Sequence, residues 1–257
     1  MPRRFLRGAV VSGAFLVAAA CSTKGSDGTD TASGASQIAA NDSARAKDSA
    51  ARAAPDTAWR SLVDGDSLTA WRAYRGTAVH PQWQAKDGVL TVAGKGGDAG
   101  DIITKDQFGD FELELEWKVP RGGNSGIFYR AAETAERVYE TAPEYQVLDD
   151  ARHPDGKFPL TSAGAAYGLY APPRGVVKPA GEWNAARIVA RGSHVEHWLN
   201  GQKVVDYELG SADWSAKVQA SKFKDWPGYG KSARGHIGLQ DHGDTVSFRN
   251  IRIRELQ

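Results

Sequence analysis

From residue 58 onward, apolar and polar positions alternate in short runs broken by turn-forming residues. The clearest run is Phe111-Glu-Leu-Glu-Leu-Glu-Trp-Lys-Val119, in which apolar and charged side chains exchange places with the period of a half-buried strand. Gly122 and Gly123 end it, and β-forming character resumes at Ile127–Arg130. The glycines around Asn124-Ser125 permit close approach to the backbone, which suits a ligand at this strand end. Further strands are predicted at Trp83–Val92 about an Asp87-Gly88 turn, and at Asp101–Thr104, Phe108–Val119 and Glu144–Leu148. Asn184–Arg191, His194–Leu199, Val204–Tyr207, His236–Gln240 and Val246–Ile253 complete the set. Asn200-Gly201 is a strong hairpin signal. In the last strand the apolar parity switches at Arg249-Asn250, which predicts a bulge. No apolar pattern of helical period runs for ten residues after position 57. Many short strands with turn signals between them predict an all-β sandwich or jelly roll of antiparallel strands.

The first 56 residues follow other rules. Arg3, Arg4 and Arg7 precede a short apolar run that closes at Leu16-Val-Ala-Ala-Ala-Cys21, so residues 1–20 read as a signal peptide. Small residues before the single cysteine are similar to a bacterial lipobox, with Ala18 where leucine is usual. A lipid on Cys21 would anchor the mature protein to a membrane in the periplasm or at the cell surface. Residues 21–56 carry almost no large apolar side chain and are expected to be a disordered tether, leaving 57–257 as the folded domain. With Cys21 used at the anchor, that domain holds no disulfide and relies on its core, for which its length suffices.

A net charge of +1 argues against nucleic acid as a partner. Eight tryptophans and eight tyrosines could serve as platforms for sugar faces, although a core claims many of them. Two polar clusters beside Asn124-Ser125 are candidates for chemistry. In Glu144-Tyr-Gln-Val-Leu-Asp149, alternation puts Glu144 and Gln146 on one face and Tyr145 and Val147 on the other. In Gly238-Leu-Gln-Asp-His242-Gly243, Ile237 and Leu239 point inward, which sets His236, Gln240 and His242 opposite. Trp183 is assigned to the core and Asn184 to a hydrogen-bonding turn, while Ala151–Lys178, with Lys157 and Tyr170, is a candidate cleft rim or lid. The Glu-x-Asp-x-x-Glu run of jelly-roll endoglucanases, a Gly-x-Ser-x-Gly elbow, a phosphate loop and His-x-x-x-His spacing are all absent. No cofactor is expected. A structural calcium held by loop oxygens leaves no sharp motif and stays open.

Taken in order, Phe111-Glu-Leu, Gly123-Asn-Ser-Gly-Ile-Phe-Tyr-Arg130, Glu144-Tyr-Gln-Val-Leu-Asp149, Gly181-Glu-Trp-Asn184, Trp198-Leu-Asn-Gly201, Gly238-Leu-Gln-Asp-His-Gly243 and Phe248-Arg-Asn-Ile251 resemble the 3-keto-disaccharide hydrolase family over nearly all of 58–257. The resemblance implies a concanavalin A-like sandwich and action on glycosides oxidised at C3, so a carbohydrate partner. It does not allot roles to residues. The chemistry of such a substrate asks for a base at C2, donors to the C3 oxygen and an acid at the leaving oxygen. Glu144 and His242 are the candidates for base and acid, in either order. Asp149 is expected to orient His242 or line the sugar site. Arg130, Asn124 and Gln240 are expected to donate to the substrate, with Ser125, Gln146, Lys157 and Tyr170 as further contacts. A sugar-binding module without catalysis, or a bridging surface lipoprotein, would not need an acid and a histidine in one cleft. Oligomeric state is not legible from these residues.

Overall fold

Among the described residues, thirteen strands in two antiparallel sheets realise the alternation. The computed structural model describes residues 57–257 apart from 95, 97 and 98. The signal peptide, Cys21 and the tether expected over residues 1–56 lie outside the described residues. In chain order the strands are β1 (Arg60–Ser61), β2 (Trp71–Ala73), β3 (Trp83–Lys86), β4 (Val89–Val92), β5 (Ile102–Thr104), β6 (Phe111–Lys118), β7 (Asn124–Ala131), β8 (Glu144–Leu148), β9 (Asn184–Arg191), β10 (His194–Leu199), β11 (Gln202–Glu208), β12 (His236–Leu239) and β13 (Val246–Glu255). The larger sheet runs β11-β10-β9-β6-β13-β4-β3, with β1 also paired to β13, and the smaller runs β2-β5-β12-β7-β8. This is a concanavalin A-like β-sandwich.

The turns that set the registers are those the residues demand. Asp87-Gly88 and Asn200-Gly201 both take positive φ, at 51° and 77° and at 51° and 84°, as a two-residue hairpin needs. The parity switch in β13 is a bulge: its pairing with β6 slips between Arg249 and Arg252, and Asn250 takes φ 53°. Both parities of that strand therefore reach the core, as Phe248 and as Ile251 and Ile253. Leu113, Leu115 and Trp117 of β6 belong to the same buried cluster as Ile127 and Tyr129 of β7 and Tyr145 and Val147 of β8. Each such side chain contributes about 1.5–3 kcal/mol by its removal from water.

A chain of polar groups inside the sandwich is paired end to end. His197 is fully buried and Nδ1 donates to the Gly164 carbonyl at 3.1 Å, so Nε2 is left to accept from the Tyr129 hydroxyl at 3.0 Å. Tyr207 then donates to the Tyr129 oxygen. Burial pushes the His197 imidazole down to about 4, which keeps it neutral.

One helix was not foreseen. α1 (Ala212–Gln219) has a single buried side chain, Trp214, and so shows no apolar stripe. Its start is held by the Ser211 hydroxyl, which accepts from the Trp214 amide. Trp214 stacks between Tyr207 and Tyr229, with interplanar angles of 7° and 4°. Through that stack the helix seats the turn Lys222–Asp225 and Tyr229 beside β8. The edge of β8 is covered rather than open: Gln146 N–H donates to the Ala165 carbonyl, and Gly164 and Tyr167 N–H donate to the carbonyls of Gln146 and Glu144.

Candidate active site

Outward-facing residues of β7 and β8, closed over by loops, form a cleft of about 380 Å³. Glu144 and Gln146 enter it from β8 on one face, as alternation predicts, and Asn124 enters from β7. Gln240 and His242, just past β12, make the facing wall. Asp155 and Tyr167 come from the segment expected to be a rim, and Lys222, Phe223, Trp226 and Tyr229 from the turns after α1. The cleft thus combines one buried carboxyl, one histidine, carboxamides and a bank of aromatic rings. A larger hollow of about 770 Å³ lies over the outer face of the other sheet, where Glu114 and Arg252 pair, and holds neither Glu144 nor His242.

Glu144 is only 8% exposed. Burial pushes its carboxyl up to about 8; the nearby Lys222 ammonium pulls it down, and the charges of Asp101 and Asp155 push it further up. At neutral pH the group holds its proton, and once deprotonated it is a strong base. Lys222 also lies 4.6 Å over the Tyr167 ring, which fixes its charge at this wall. Gly126 pairs with Gln146, two residues along β8 from Glu144, and its missing side chain makes room for the Glu144 carboxyl. A Cβ there would stand 2.2 Å from Glu144 Oε1. The close approach signalled by this glycine is therefore that of the protein's own carboxyl and not of a ligand.

Asn124 Oδ1 is buried without a hydrogen-bond partner, while its Nδ2 lies 3.5 Å from His153 Nε2. His153 Nδ1 accepts from the Asp155 amide, which leaves the ring proton on Nε2. Turning the Asn124 amide over gives the His153 ring proton an acceptor in Oδ1 and moves the NH₂ to the other position. His153 in turn meets the His242 ring edge to face at 6.2 Å, a contact with no signal in the sequence.

Several expected site residues are placed elsewhere. Arg130 is 3% exposed, and its guanidinium donates to the carbonyls of Gly109 and Gly192 and to Asp110. Its φ of 52° breaks the alternation of β7 at a register slip against β12, so it leaves the face that Asn124 and Gly126 share. The same slip takes His236 out of line with Gln240: its ring donates to the Thr104 carbonyl and accepts from Gln107. Ser125 donates to the Gln240 carbonyl from inside the sandwich, so it braces the wall rather than lining it. Asp149 accepts from the amides of Gly122 and Ala151 and holds the turns at the ends of β7 and β8; it does not touch His242. Lys157 is exposed outside the cleft, and Tyr170 stacks on Tyr207 and donates to Asp213. Trp183 is not core: Lys118 and Arg249 lie over its ring on the outer sheet face. Asn184 does bond a turn, accepting from the Lys178 amide.

Among the described residues His194, Glu196 and Asp206 bring one potential metal ligand each within 4.8 Å of one another. Lys203 already pairs with both carboxylates, and none of the three lines the cleft.

A sandwich with a buried acid and a histidine facing across one sugar-sized cleft is a glycosidase-type enzyme. The chain belongs to the 3-keto-alpha-glucoside-1,2-lyase-like domain family, whose model matches residues 58–254. It is 40% identical over 226 residues to a 3-keto-disaccharide hydrolase of Bacteroides thetaiotaomicron, covering 76% of this chain and 78% of that one. A Parabacteroides distasonis structure provisionally assigned as a glycosyl hydrolase superposes with a TM-score of 0.71 at 34% identity, covering 77% of this chain and 94% of that one. A second from the same organism gives 0.61 at 30%, covering 77% and 100%.

Proposed function

We propose that this chain cleaves glycosides oxidised at C3 by elimination and hydration. A ketone at C3 acidifies the C2 hydrogen. Glu144, deprotonated, takes that proton as the C2–H electrons move into an enolate. The enolate expels the C1 oxygen, which receives a proton from His242, and C1 and C2 become doubly bonded. Water then adds its oxygen to C1 and a proton returns to C2, so the net change is hydrolysis. Asn124 NH₂ and Gln240 supply hydrogen bonds, and the Lys222 charge favours the enolate. The observation that carries the reading is Glu144 itself: a buried carboxyl held near 8 is matched to taking a proton from carbon. The 3-keto-disaccharide hydrolase relative points to the same substrate class.

Turnover in heavy water tests it. Deuterium should appear at C2 of the released 3-keto sugar, and the unoxidised glycoside should not react. A route through an oxocarbenium ion never touches C2–H, so full retention of C2 protium would exclude elimination.

The same proposal places the enzyme outside the cytoplasm, held by a lipid on Cys21 with residues 22–56 as its tether. Cys21→Ala should move the protein from the membrane fraction to the soluble one. A variant that stays with the membrane would show that something other than the lipid holds it.

A further inference from the structure

The outer face of the larger sheet carries tryptophans among its charged side chains. Trp59 and Trp198, both half-buried, line the hollow of about 770 Å³ on that face, a volume within the roughly 300–1,000 Å³ of small-molecule sites. Neither Trp198-Leu-Asn-Gly201 nor Phe248-Arg-Asn-Ile251 supplies a residue to the cleft at Glu144. Trp198, Gly201, Asn250 and Ile251 line this hollow instead.

Register builds the hollow from one row of side chains. Trp198 on β10 pairs with Arg187 on β9, Arg187 with Glu114 on β6, Glu114 with Arg252 on β13, and Arg252 with Ser61 on β1. All five line the hollow, and Trp59 joins the Ser61 end, with the Arg252 guanidinium 4.5 Å from its ring centre. Four strand spacings separate the ends of the row, roughly 19 Å. At the other end Arg187 lies over the Trp198 ring at 4.8 Å, and the indole N–H donates to Glu196. Both rings are thus held before any ligand arrives, which lowers the ordering cost of binding.

The row keeps hydrogen-bonding capacity in reserve. Arg252 spends two nitrogens on one Glu114 oxygen, Oε2, at 2.9 and 2.6 Å, which leaves Oε1 as an acceptor. Arg187 spends Nε on Glu112, which leaves its two terminal nitrogens as donors. Glu114 and Glu116 balance Arg187 and Arg252 around the hollow, so neither a polyanion nor a polycation is favoured there. Exposed ion pairs add little to stability, so folding alone gives little reason for the ladder.

We propose that this row is a second carbohydrate site, without catalysis, that takes a neutral polysaccharide strand lying across the larger sheet. Sugar rings stack their C–H faces on Trp59 and Trp198, and hydroxyls pair with the reserved atoms of Glu114 and Arg187. The strand is unoxidised polymer and not the bond that is cleaved. The site therefore holds the enzyme on a glycan, and it stands independently of the chemistry at Glu144.

The test is electrophoresis of the enzyme through native gels cast with hydroxyethyl cellulose, xylan, galactomannan or pullulan. At least one polymer should retard it. Trp198→Ala and Trp59→Ala should each weaken that binding roughly 10-fold, the worth of one stacked ring, while Trp198→Tyr should keep most of it. All three should cleave a small 3-keto disaccharide at the parental rate, because neither ring lines the cleft. Free passage of the parent through all four gels would overturn the site, as would retardation that both alanine variants keep. Should a tryptophan variant lose cleavage along with binding, Arg187→Lys decides. It keeps a positive charge beside Glu112 and gives up the reserved donors, so undiminished retardation in it would overturn the site.

Discussion

Glu144→Gln should lower kcat/KM on a 3-keto glycoside by a factor on the order of 10² to 10⁴, the span expected for a lost general base. Glutamine keeps the shape of the side chain and cannot take a proton. In the parent, the rate should climb with pH toward about 8 as the buried carboxyl ionises. Lys222→Met should shift that limb upward, because the ammonium is what pulls the group down. Stability should move the other way. Glu144 has a folded pKa raised above its ordinary 4.5, so its stabilising contribution is complete below 4.5 and is lost as pH rises through about 8. Glutamine carries no such loss. The melting temperature of Glu144→Gln should therefore gain on the parent between these values and hold the gain above them. A variant with parental rates and an unmoved pH limb would take the base away from this residue. A limb near 6.5 that survives the substitution would hand the role to a histidine.

Gly126→Ala should cost about 10²-fold in kcat although Gly126 would touch no substrate atom. The added methyl stands 2.2 Å from Glu144 Oε1 and 2.8 Å from its Cδ, so the carboxyl must move. A displacement of about 1 Å at a reacting group is worth a loss of that size. The strand itself tolerates alanine, because Gly126 is not among the glycines with positive φ. The fold should hold, and KM should change less than kcat. Combining Gly126→Ala with Glu144→Asp, whose side chain is one methylene shorter, should return part of what the two single changes lose together. Parental kcat in Gly126→Ala would show that the carboxyl has slack. Strict additivity in the double variant would mean that the two residues act separately.

The site was legible where a strand is regular. Glu144 and Gln146 share the cleft because β8 alternates without interruption, and Asn124 joins them from the neighbouring strand. Arg130 and His236 were misplaced because alternation fails at a slip between β7 and β12, and one positive φ turns a long side chain from the cleft to carbonyls on the other side. Lys222, Trp226 and Tyr229 carried no signal. They sit in turns positioned by a single buried tryptophan in a short helix, and one anchor makes no periodic pattern.

By itself the sequence determined the strands from β3 onward, the hairpin turns at Asp87-Gly88 and Asn200-Gly201, the bulge in β13 and the family, but not the short β1 and β2. All of these are written in side-chain period and in residues that accept positive φ, which are properties of neighbours along the chain. Tertiary structure alone decided which polar residues meet. The raised carboxyl at Glu144, the room left by Gly126, the charge of Lys222 and the brace between Asp101 and Asp241 join segments as much as 140 residues apart. Desolvation and Coulomb forces depend on distance in space. Loop packing sets that distance, and no local pattern encodes it.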